Sequence, residues 1–72
     1  MADPIDRIIA AARNQLNAEI GPDTDLTELG DALDLAAIEM AVEENSGIAI
    51  PDGFLADHPT PRLAAEAMKE MV

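Results

Sequence analysis

Between Leu29 and Pro51 the chain reads LGDALDLAAIEMAVEENSGIAIP, and no other stretch restricts the fold as strongly. Apolar residues recur there at helical spacing, which predicts a helix from about Ala32 to Asn45 terminated by Gly47. At about 100° per residue from Leu33, the side chains of Leu35, Ile38 and Val42 cluster at roughly 140–200° and form a core stripe. Leu33, Ala37 and Met40 fall on the opposite side, with Glu44 inside that second stripe and Glu43 at its border. An outer face that mixes Leu and Met with carboxylates suits a docking strip, where apolar anchors give contact area and charge gives register. Single exposed Leu and Met residues are also ordinary on soluble proteins, so periodicity alone leaves both readings open.

The remaining punctuation predicts two more substantial helices and one short one. Asp3 is a candidate cap, Pro4 suits a first turn, and Ile5, Ile8, Ile9, Ala12 and Leu16 recur at helical spacing in a helix expected to end near Gly21-Pro22. Asp23 to Gly30 reads as a loop pinned by Leu26 and Leu29, and Ile48 to Pro51 as an extended connector. Asp52 to Asp57, with Phe54 and Leu55, reads as a short helical turn. Thr60 then caps and Pro61 opens a last helix bearing Ala64, Ala67, Met68 and Met71. No alternating strand pattern competes. The expected fold is an all-α bundle of three main helices and one short helix, in a single domain spanning residues 1–72.

A chain of 72 residues buries only about 60% of its unfolded surface, so its core must be economical. A deep enclosed substrate pocket would consume much of it, which argues against a self-contained enzyme. The sequence has no cysteine, hence no disulfide, thiolate nucleophile or sulfur-ligated metal. No uncharged apolar run reaches the roughly 18 residues of a membrane span, and Asp3 and Asp6 stand where a signal peptide would be positive. A cytoplasmic monomer is expected. Fifteen acids against four bases give a net charge of −11, and between Asn14 and Pro61 every charged side chain is acidic. That sign repels nucleic-acid phosphate and anionic lipid and favours basic protein patches as partners. High charge also simply keeps a small protein soluble.

Candidate catalytic and metal groups are sparse. His58 has no second histidine or cysteine for a zinc site and, beside Pro59, reads as a loop residue. Thr24, Thr27 and Thr60 lack an activating base, and capping or turn roles account for them. An EF-hand beginning at Asp23 would need glycine and glutamate where Glu28 and Asp34 stand. No catalytic residue and no metal ligand is expected.

Leu29-Gly30, then Asp31, Ala32 and Leu33, then the acidic helix, then Ile50-Pro51 resemble the acyl carrier protein family. That family has an Asp-Ser-Leu motif at the start of its second helix and an Ile-Pro pair at the distance kept here. The resemblance spans the chain in helix order and is densest from Asp25 to Pro51. It implies a carrier of 4'-phosphopantetheine, held on a serine hydroxyl through a phosphodiester, where a helix N-terminus favours the phosphate. The attachment position would be Ala32, which has no hydroxyl, so the group is not attachable there. By the same resemblance, Asp31, Leu33, Asp34, Met40, Glu43 and Glu44 would form the recognition surface. The partners would be a phosphopantetheinyl transferase and acyl-processing enzymes of fatty-acid, polyketide or related lipid biosynthesis.

The chain departs from the family pattern at Ala32, at Ala37 where an acid is common, and at Ser46 where a large apolar residue is common. The loop is also one residue short, which permits a second register with the serine missing between Ala32 and Leu33. Phe54 is a candidate to fill the core volume that Ser46 leaves. Two other readings compete with a carrier: a degenerate carrier kept as a non-acylated interaction module, and an unrelated acidic helical protein that presents carboxylates to a basic cleft.

Overall fold

A computed structural model describes residues 3–71, which form five helices and no strand. These are α1 (Pro4–Leu16), α2 (Leu26–Leu29), α3 (Ala32–Ser46), α4 (Phe54–Asp57) and α5 (Pro61–Met71). Three are long, and α1 packs against both α3 and α5. The one-turn helices α2 and α4 contact each other and α3, closing the same end of the bundle.

The core follows from the apolar spacing. Ile8 and Ala12 from α1, Ile38 and Val42 from α3, and Ala64, Ala65 and Met68 from α5 are buried together with Leu26, Phe54 and Leu55. Ile5, Ile9, Leu16 and Leu35 pack at its edge. Phe54 is buried, whereas Ser46 is half-buried and turns its hydroxyl back onto its own helix, donating to the Val42 carbonyl at 2.7 Å.

Local chemistry sets the helix ends, and several differ from the sequence reading. Pro4 opens α1, but the Asp3 side chain makes no capping bond; its carbonyl instead accepts from the Asp6 and Arg7 amides. The helix ends at Leu16, well before Gly21-Pro22, because Asn17 takes a left-handed conformation (φ 52°) and its N–H closes on the Arg13 carbonyl. Asparagine tolerates that region better than most residues. The loop expected from Asp23 to Gly30 contains the extra turn α2, started by Asp25, whose carboxylate accepts from the Thr27 N–H. Only one of its two apolar pins enters the core: Leu26 is buried and Leu29 is exposed. Met71 likewise lies on the exposed side of α5.

Long-range bonds fasten these pieces together. Leu26 N–H donates to the Pro59 carbonyl and Arg62 N–H to the Pro22 carbonyl, so the loop after α1 is tied to the start of α5. Arg7 of α1 donates to the Asn45 carbonyl at 2.6 Å, satisfying an acceptor that the last turn of α3 leaves open. The Arg62 guanidinium pairs with Asp23 at 2.8 Å. That hydrogen bond holds the Asp23 carboxyl below its ordinary range and raises Arg62.

Candidate functional site

Helix α3 starts on a reciprocal cap. Asp31 Oδ1 accepts from the Asp34 N–H at 3.0 Å and Asp34 Oδ2 accepts from the Asp31 N–H at 3.3 Å. Two N–H groups that a helix start leaves open are thereby satisfied, and Ala32, which follows the cap, occupies the first helical position with an exposed side chain. Gly30 approaches this start so closely that a Cβ there would lie 2.7 Å from Leu16 Cδ2 and 2.8 Å from Asp34 Cβ. Gly47 ends the helix in the left-handed region at φ 74°.

The two faces predicted for α3 are both present. Leu33 is 80% exposed and Met40 65%, while Ile38 and Val42 are buried. Ala37 is half-buried on the outer side. The four acids assigned to this surface differ in freedom. Asp31 and Asp34 are occupied by the cap, and Asp34 also accepts from Gln15 at 3.1 Å. Glu43 is exposed, yet its Oε1 accepts from the Ile50 N–H at 2.8 Å and so holds the connector to α4. The Glu44 side chain makes no hydrogen bond among the described residues and is exposed. The one ion pair found among those residues is Arg62–Asp23, away from α3, so the carboxylates of this helix have no basic partner within the described chain.

One acid of α3 was not singled out by sequence reasoning. Glu39 is only 7% exposed, and its Oε2 accepts from the Leu55 N–H in α4 at 2.9 Å. The wheel carried the signal, since Glu39 falls about 40° from Leu35 at the margin of the core stripe. It borders a groove of ≈ 350 Å³ between α3 and α4, lined also by Ala32, Leu35, Ala36, Asp52, Gly53 and Ala56. A wider, shallow depression of ≈ 590 Å³ runs along the end of α1 past Arg13 and Asn17 and does not reach α3.

Hydroxyls are absent from the start of α3: Asp31, Ala32, Leu33, Asp34 and Leu35 carry none. Ser46 is the only serine of the chain and lies at the opposite end of the helix, donating to Val42 and accepting from Ile48 N–H. Thr24 Oγ1 accepts from Gly21 N–H, Thr27 Oγ1 donates to Asp25, and Thr60 Oγ1 accepts from Leu63 N–H, all turn or cap roles. The residues present at this helix start therefore do not fit a serine-linked phosphopantetheine. The His58 ring packs against Phe54 in a tilted arrangement, with centroids 4.8 Å apart and planes at 50°. The described residues contain no cluster able to hold a metal, and no described helix is long and apolar enough to cross a membrane.

The family model described as the phosphopantetheine attachment site matches residues 6–68. No curated protein and no solved structure matches the chain. The matched residues begin within α1 and end within α5. The chain belongs to the phosphopantetheine attachment site family, whose members act as carrier domains.

Proposed function

We propose that this chain is an acyl-carrier-type domain, of the kind that presents acyl intermediates to enzymes of fatty-acid, polyketide or related lipid biosynthesis, here in a form lacking the attachment serine, and that it docks onto them through the outer face of α3. The observation that carries the proposal is the pairing of Leu33 and Met40, both well exposed, with carboxylates that have no basic partner among the described residues. Apolar anchors give contact area, and the acidic field steers basic patches of an acyl-processing enzyme or a phosphopantetheinyl transferase. The domain has no catalytic role and works as a cytoplasmic monomer. Ala32 takes the attachment position, so this polypeptide docks without being loaded. Asp31, Leu33, Asp34, Met40, Glu43 and Glu44 make up the recognition surface, with Glu44 its most available charge.

Intact mass tests the assignment. Ala32→Ser, and a second variant with serine inserted after Ala32, are incubated with coenzyme A and a phosphopantetheinyl transferase of broad specificity. One of the two is expected to gain the phosphopantetheine mass while the parent chain stays unchanged. Failure of both removes the carrier assignment of this helix start.

A second reading, that the chain is a non-acylated interaction module, draws support from Ala32 and from the carboxylate of Glu39 beside the groove. It predicts that the parent chain binds an acyl-processing enzyme as tightly as the unmodified Ala32→Ser variant, and that loading the variant adds no affinity. A gain on loading favours the carrier role.

A further inference from the structure

We infer that the groove between α3 and α4 receives a lysine side chain of a partner protein, with Glu39 as acceptor for the ammonium group. This deepens the docking role proposed above for α3. The groove, ≈ 350 Å³ in volume, is within the range of small-ligand clefts. Ala32, Leu35, Ala36 and Ala56 give it apolar walls, and small residues keep it open. Its polar groups are the Glu39 and Asp52 carboxylates, and no basic residue of the chain lines it.

The two oxygens of Glu39 are differently placed. Oε2 is occupied by the Leu55 N–H. Oε1 accepts no hydrogen bond among the described residues, and no buried side-chain oxygen is left unpartnered there, so Oε1 reaches solvent. On its inner side Glu39 borders a gap among Ile8, Val42, Ile50, Phe54, Leu55 and Met68 that has no room for water. The α3–α4 groove, which Glu39 also lines, is the open cavity beside this carboxylate.

This arrangement selects a ligand. A hydrocarbon filling the groove would cut Oε1 off from water and supply no donor, leaving a buried acceptor unsatisfied. An alkylammonium avoids that cost: its methylenes lie along the apolar wall while its N–H groups bond Glu39 and Asp52. Lysine suits the site better than arginine. With Oε2 already accepting from Leu55, a guanidinium fork would have to share that oxygen, whereas a compact ammonium needs only Oε1.

The test needs no carrier enzyme, so its failure is distinct from failure of the docking proposal. Amide chemical shifts of the isotope-labelled chain are followed during titration, at fixed ionic strength, with Nα-acetyl-lysine N-methylamide and with the norleucine and arginine analogues. The lysine compound is expected to give saturable shifts centred on Ala36, Gly53 and Leu55, and the others weaker ones. Glu39→Gln keeps an acceptor for Leu55 and is expected to weaken lysine binding at least about fivefold. Ala36→Leu fills the groove from an exposed position and should abolish it, while Glu70→Gln, an exposed change on α5 that does not line the groove, should leave it unchanged. Equal response to norleucine, retained binding in both groove variants, or shifts spread over Glu44 and the outer α3 face would each overturn the inference.

Discussion

At the scale of single residues, Gly30 shows how a short motif carries fold information. Its φ of −140° is open to any residue, so what demands glycine is space: Leu16 and Asp34 both press on the missing Cβ. Leu16 can move its side-chain end, but Asp34 is pinned by its bonds to Asp31 and Gln15. Gly30→Ala is therefore expected to destabilise the chain by about 1–3 kcal/mol through overpacking at the α1–α3 contact. Denaturant unfolding reads this directly, and an unchanged midpoint would show that the crowding relaxes without cost. Glu39 teaches the reverse lesson. A glutamate among many glutamates gives no sign in the sequence that it is buried; only its angle beside Leu35 does, and charge is the stronger cue for exposure.

At the scale of elements, α3 was legible because two independent signals agreed: apolar residues at helical spacing and a glycine stop. Helix α1 was legible in its core residues but not in its end. Gly21-Pro22 is the louder breaker, whereas the actual stop is a left-handed asparagine, which sequence alone does not separate from an ordinary helical one. Helix α2 is a single turn, too short for periodicity to register. The roles of Glu43 and Glu44 also separate at this scale, although both sit exposed on one helix. Glu43→Lys should cost about 0.5–1.5 kcal/mol, because it removes the acceptor of the Ile50 N–H. Glu44→Lys should stay within about 0.5 kcal/mol of the parent. Both reversals should weaken association with a basic partner at low salt. Thermal unfolding alongside binding separates the two effects, and equal stability of the two variants would mean that the Ile50 bond contributes little.

For the whole molecule, two electrostatic effects of opposite sign meet on acidification. A net charge of −11 makes the folded state repel itself, and protonation relieves that repulsion. Asp23 works the other way. Its carboxyl lies below the ordinary value of 3.8 because Arg62 donates to it, so its contribution is present above that value and is lost as pH falls through its folded pKa. Both side chains are more than half exposed, which keeps the effect small. Between about pH 5 and pH 3 the parent should lose stability relative to Asp23→Asn, and Arg62→Gln should match the asparagine variant. Melting temperatures across that window check this; parallel curves for all three would show that the pair does not bias folding.

The reciprocal cap of α3 has a practical consequence as well. Asp31 and Asp34 initiate the helix between themselves, so the side chain at position 32 has no part in starting it. In a chain without cysteine, Ala32→Cys would create a single thiol at the mouth of the α3–α4 groove. The domain can then be joined there to a fluorophore, a crosslinker or a synthetic thiol-reactive arm of chosen length, giving a handle that needs no modifying enzyme.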